Sequence, residues 1–207
     1  MDKIITAIFK VESEGYQALT ELKKAPETDN YTVSQAILIK KENNGITTLD
    51  SFDTGIETED DTITGGLIGG IVGILGGPLG MLLGGSIGAL AGSAFDLDDA
   101  LDNESIVEKV TEMIMDGEVC LIALAAEKQA GTIQQLLSKF DVSIVENSAE
   151  EVAEEIEQAK KAEEELKKEA RAKLREAQKQ EIKDKVEEKR AELAAGVESL
   201  KEKMKKD

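Results

Sequence analysis

From Thr62 to Phe95 the chain runs for thirty-four residues without a charge, and this run holds twelve of its eighteen glycines. It reads TITGGLIGGIVGILGGPLGMLLGGSIGALAGSAF. The glycines step by fours: Gly65, Gly69, Gly73 and Gly77 form one row, and Gly76, Gly80, Gly84, Gly88 and Gly92 form another. On a helix, residues four apart share a face. Each row is therefore a groove without side chains, into which a second backbone can come close, as in the small-xxx-small packing of membrane helices. Each glycine costs a helix about 1 kcal/mol relative to alanine. Such a helix forms only where lipid, the rest of the fold or other copies hold it.

Gly76-Gly77-Pro78 interrupts the pattern, because proline removes a backbone donor and disfavours a helical conformation in the residue before it. The expectation is a helical hairpin with arms Gly65–Leu75 and Leu79–Phe95, roughly 17 and 26 Å long. A bilayer core is about 30 Å thick, so neither arm spans it comfortably. The flanks also lack membrane anchors. Glu57, Glu59, Asp60 and Asp61 precede the run, and Asp96, Asp98, Asp99 and Asp102 follow it. No Lys or Arg lies between Lys41 and Lys109, and no Trp or Tyr borders the run. Positive-inside anchoring and attraction to anionic lipid are missing. Two readings stand: a hairpin contacting the bilayer, or one buried in a homo-oligomer.

The 207 residues allow one domain and an appendage. The net charge of −18 is unevenly placed. Residues 1–148 hold nine Lys and Arg against twenty-five Asp and Glu, giving −16, and residues 149–207 hold sixteen against eighteen, giving −2. So acidic a domain argues against nucleic-acid binding, which rests on neutralising phosphates. The chain has no histidine, which excludes histidine triads and imidazole zinc sites. Cys120 is the only cysteine, so there is no intrachain disulfide. The opening MDKIITAIFKVE lacks a signal-peptide pattern. The expected location is the cytoplasm or the cytoplasmic face of the inner membrane.

Lys3–Val11 reads as a strand, Glu12–Ala25 as a helix with Tyr16, Leu19 and Leu22 inward, and Tyr31–Lys41 as a second strand. Asn43-Asn44-Gly45 is a turn into a third strand, Ile46–Phe52. After the glycine-rich run, Ile106, Val107, Val110, Met113 and Ile114 mark a helix that Asp116-Gly117 stops. Glu118–Ala125 is apolar enough for a central strand, Ala130–Phe140 is a short helix and Asp141–Glu146 a last strand. This order predicts an α+β fold, a ferredoxin-like α/β sandwich with an inserted glycine-zipper hairpin.

Residues 149–207 form a second region, a long charged helix without proline. Ile156, Ala159, Glu163, Leu166, Ala170, Leu174 and Ala177 make a thin seam; Ile182 and Val186 break its register, and Leu193, Val197, Leu200 and Met204 resume it. The region reads as a solvated single helix held by Glu–Lys pairs, or as a coiled-coil arm for self-association.

The strand and helix AIFKVESEGYQALTELKK, the glycine run with its GGPLG turn, and the GEVCLIALAAE and VSIVENS strands together resemble a bacterial family, domain of unknown function 1269. The resemblance spans about residues 1–150, and the GGPLG turn with its flanking glycines is its specific part. It implies a membrane- or stress-associated protein with no assigned enzymatic activity, so it transfers no catalytic residues.

Other chemistry finds little support. The glycine run lacks the Gly-Lys-Ser/Thr ending of a phosphate loop. The acidic cluster from Asp96 to Glu104 breaks calcium-loop spacing at Ala100, and reads as carboxylates at a helix N-terminus. Cys120, in an apolar strand, reads as a small hydrophobe. Nothing singles out one acid–base pair among forty-three carboxylates. The expectation is a non-enzymatic protein without cofactor or metal. It oligomerises with itself through the two glycine rows and Pro78, with the bilayer as a further partner. The alternative is a soluble ligand-binding or regulatory module whose hairpin packs on its own sheet.

Overall fold

The computed structural model describes residues 2–43, 45–56, 66–77 and 106–203. The chain is α+β. Its strands are β1 (Asp2–Phe9), β2 (Tyr31–Glu42), β3 (Gly45–Asp53), β4 (Val119–Glu127) and β5 (Val142–Ser148). Its helices are α1 (Glu12–Lys24), α2 (Leu67–Leu75), α3 (Ile106–Met113), α4 (Thr132–Leu137) and α5 (Ala149–Lys203). The strands form one sheet in the order β3-β2-β4-β1-β5, with every neighbouring pair antiparallel. β4, the most apolar strand, stands at the centre, where both its faces are covered.

Alternation along the strands divides the core into two layers. Ile5, Ala7 and Phe9 of β1 sit beside Ala123, Leu121 and Val119 of β4. With Val33, Ala36 and Leu38 they form a cluster closed by Ala18, Leu19 and Leu22 of α1 and by Ile133 and Leu137 of α4. A bulge between Val33 and Gln35 keeps β2 on that face. Ile4, Ile8, Cys120, Ile122 and Leu124 alternate with these and are buried on the other face. α2 packs against β2, β4 and α3. Val110 and Ile114 at the α3 end, and Ala149, Val152, Ile156 and Ala159 of α5, are also buried.

The spacing of α1 misplaces one residue. Tyr16 is 36% exposed, and the inward row is Gly15, Ala18, Leu19 and Leu22. Residues 16, 19 and 22 step by three, which drifts from the period of about 3.6 and carries Tyr16 off the face. Gly15 is inward because a Cβ there would lie 2.8 Å from Val119 Cγ2 and 2.9 Å from Leu38 Cδ1. Met113 likewise leaves its expected inward face, at 37% exposed.

Residues 1–163 form one compact unit and residues 164–207 a second. The described part of the second unit is helix throughout, and its Leu174, Ile182, Val186 and Leu193 are exposed.

Candidate functional site

The glycine-rich segment enters after β3 and returns through α3 into β4, and both described ends are tied to β2. At the entry, Thr54 Oγ1 donates to the carbonyl of Ser34 at 2.9 Å. At the return, Lys41 Nζ donates to the carbonyls of Thr111 at 3.1 Å and Ile114 at 2.9 Å. A cation on the last carbonyls of α3 offsets the negative end of its dipole. The Gly117 amide then donates to the Lys41 carbonyl at 2.7 Å, with Gly117 at φ +90, a conformation that suits glycine.

Between these ties, α2 has two unlike faces. Leu67, Ile68, Ile71, Ile74 and Leu75 are only 2–6% exposed. Gly70 belongs to that inner face: a Cβ there would lie 2.8 Å from Ile156 Cγ2 and 3.2 Å from its Cδ1. Its missing side chain lets α2 lie against the first turns of α5. Gly66, Gly69 and Gly73 are exposed, and among the described residues a Cβ on any of them meets nothing within 4 Å. They step by three and four, so they share the outer face.

The nine residues of α2 are about 14 Å long. Among the described residues no helix is long and apolar enough to cross a membrane.

Of the expected packing residues, Gly69, Gly73, Gly76 and Gly77 are described, and they do not behave as one row. Gly69 and Gly73 are open among the described residues. Gly76 is half-buried, with Ile46 Cβ 3.6 Å from where its own Cβ would be. A Cβ on Gly77 would collide with Glu163 Oε1. Gly65, Pro78, Gly80, Gly84, Gly88 and Gly92 lie outside the described residues, as do the second arm and the acidic cluster at 96–104.

One carboxylate does stand out. Glu127 Oε2 accepts from the Gly131 amide at 3.0 Å and Oε1 from the Ile133 amide at 2.8 Å, and its side chain is 1% exposed. It thus satisfies orphan donors at the start of α4. Lys3 Nζ lies 3.5 Å from it and 2.9 Å from Glu146 Oε2. The hydrogen bond to Glu146 leads in raising the Lys3 pKa, against desolvation, with the charges of Glu146 and Glu127 adding to it. Glu127 does not stand out in the sequence because its partners lie four and six residues on, beyond the usual capping spacing. Cys120 is wholly buried, and burial pushes its thiol far above the ordinary range. Among the described residues no group of three or more His, Cys, Asp or Glu is placed to hold a metal.

A family model described as "Protein of unknown function (DUF1269)" matches residues 62–161. The match begins at the glycine-rich run, takes in α2 through β5 and ends after the buried turns of α5. It leaves β1 to β3 outside, whereas the resemblance spans about residues 1–150. No curated protein and no solved structure matches the chain. The segment that holds the two-faced helix α2 thus lies within the segment the family model recognises, and over residues 62–161 the chain is similar to the DUF1269 family.

Proposed function

We propose that this is a non-enzymatic assembly protein whose glycine-rich insertion is a packing element. The observation that carries the reading is the division of α2 into a seated apolar face and an open glycine face. The seated face fixes the helix on its own sheet. The open face lets a second helix approach to backbone distance, as small residues and glycine above all permit. The partner is a second copy of the chain, at the cytoplasmic face of a membrane or in the cytoplasm, in a stress-related role.

The apolar side chains of α2 are occupied within the chain, which favours protein packing over lipid insertion for this arm. A non-enzymatic role is supported by how the reactive groups are used. Glu127 is spent on a helix start and an ion pair, and the Cys120 thiol is buried and protonated. For the fold, the sheet without edge strand β3 reads β5-β1-β4-β2. Two interleaved strand-helix-strand units, β1-α1-β2 and β4-α4-β5, would give that order, which supports a ferredoxin-like sandwich.

A second reading, a ligand-binding or regulatory module, draws on the same seating of α2 on its own sheet. Light scattering without detergent separates the two. Assembly predicts a mass several times the 22.3 kDa chain, reduced in Gly69→Leu/Gly73→Leu. A monomer in the unaltered chain would favour the module.

A further inference from the structure

In the second unit, Ile182 is 62% exposed, Val186 48% and Leu193 70%. At about 100° per residue these three fall within an arc of about 40° on α5. By register, Val197 and Leu200 continue the same row. The charges around this row are sorted. Lys179, Lys183, Lys185, Lys189 and Arg190, all exposed, lie within about 80° of the centre of the row on its two sides. Lys201 and Lys203 follow by register. All seven acidic residues between 179 and 203, Asp184 and Glu187 among them, fall at least about 100° from the centre of the row. A solvated helix held by Glu–Lys pairs would mix the two signs around its circumference.

This sorting decides among occupants. Pairing two copies along the row would bring Lys and Arg against Lys and Arg on both borders, a like-charge cost. A bilayer surface fits instead. The apolar row enters the headgroup boundary, the flanking stems lie along it with their charges at the phosphates, and the acidic side stays in water.

We infer that residues 179–203 are an interfacial helix that lies on anionic lipid. The inference goes beyond the glycine-face reading and does not depend on it. It gives membrane contact to a part of the chain outside the family match. It also supplies the cations that the flanks of the glycine-rich run lack, since anionic lipid attracts each nearby Lys or Arg by about 1 kcal/mol.

The test is flotation of the full chain with vesicles of equal parts phosphatidylglycerol and phosphatidylcholine, beside vesicles of phosphatidylcholine alone. Two variants accompany it, Ile182→Gln/Leu193→Gln and Lys189→Glu/Arg190→Glu. All four positions are exposed, and the substitutes are good helix formers. Binding should be at least about tenfold stronger on the anionic vesicles, and should fall about tenfold or more in each variant. Equal binding to neutral vesicles would overturn the inference. So would variants that float like the unaltered chain, which would place the lipid contact elsewhere, or no flotation at all. A lipid-free self-association lost in both variants, with no vesicle binding, would assign the row to the acidic surface of a second copy and overturn it equally.

Discussion

Gly69 and Gly70 are neighbours in sequence and lie in opposite surroundings. A Cβ on Gly70 would press into Ile156, and a Cβ on Gly69 would meet none of the described residues within 4 Å. α5 repeats the contrast over a longer distance: Ile156 is 4% exposed, and Ile182 on the same helix is 62% exposed. The residue types are the same in both cases. What differs is whether the fold supplies a partner, so glycine and isoleucine build the core at one position and present a surface at the other. Helix periodicity says which residues travel together, and only packing says which of them are seated.

The sharpest break of this contrast is at isoleucine. Ile156→Ala should destabilise the first unit by about 2–5 kcal/mol, the cost of a cavity in a filled site, whereas Ile182→Ala should stay within about 0.5 kcal/mol. Urea unfolding of both variants measures the difference. Equal effects would mean that Ile156 is not seated.

Next is glycine. Gly70→Leu should cost about 1–3 kcal/mol or more by overpacking. Gly69→Leu should leave the unfolding midpoint unchanged or raise it, because leucine gains up to about 1 kcal/mol of helix propensity over glycine. A loss of the same size at Gly69 that persists on dilution of the protein would show that its face is already covered within the chain, since stability owed to a second copy depends on concentration.

Charged groups follow the same division. Glu127→Ala strips the acceptor from two amides and a partner from Lys3, and should cost about 1–3 kcal/mol. Lys10→Ala breaks a pair with Asp141 whose two side chains are 70% and 76% exposed, and should cost less than about 1 kcal/mol. Thermal unfolding at neutral pH compares the two.

The smallest effect is alkaline. The folded Cys120 thiol holds its proton above the ordinary value of 9.0, and folded Lys3 above 10.5. Their contributions are complete below those values and are lost as pH rises toward the raised, folded ones. Stability should therefore begin to fall near pH 9 through Cys120, by less than about 1.4 kcal/mol up to pH 10. It should fall again above 10.5 through Lys3. Cys120→Ala should remove the first loss and keep the second, as melting temperatures across that range would record.

Much of this architecture is legible in the sequence. The apolar run at 119–125 announces a central strand, and the strands and short helices lie within a few residues of where alternation and turn residues put them. The errors have physical causes. A three-residue step puts Tyr16 inward, while Gly15, the true contact, carries no apolar signal. A four-residue glycine row cannot tell an approach within the chain, as at Gly77, from a position left open by the described residues, as at Gly69 and Gly73, and the rows pass over Gly70, which belongs to neither. Glu127 is one carboxylate among many until the fold brings it to the start of α4. The buried turns of α5 read as part of a solvated helix because their partner, α2, comes some eighty residues earlier in the chain.

The open glycine face can be tested directly by disulfide trapping. Cys120 is buried and unreactive, so Gly73→Cys gives the chain a single exposed thiol. A disulfide forms only where two Cα atoms come within about 4.4–6.8 Å, the distance reached when two side-chain-free faces meet. Under mild oxidation of the dilute full-length variant, the account predicts a cross-linked dimer that the Gly73→Cys/Gly69→Leu chain fails to form. A monomer that never cross-links, or a dimer that forms equally well when the added leucine fills the groove, would contradict it.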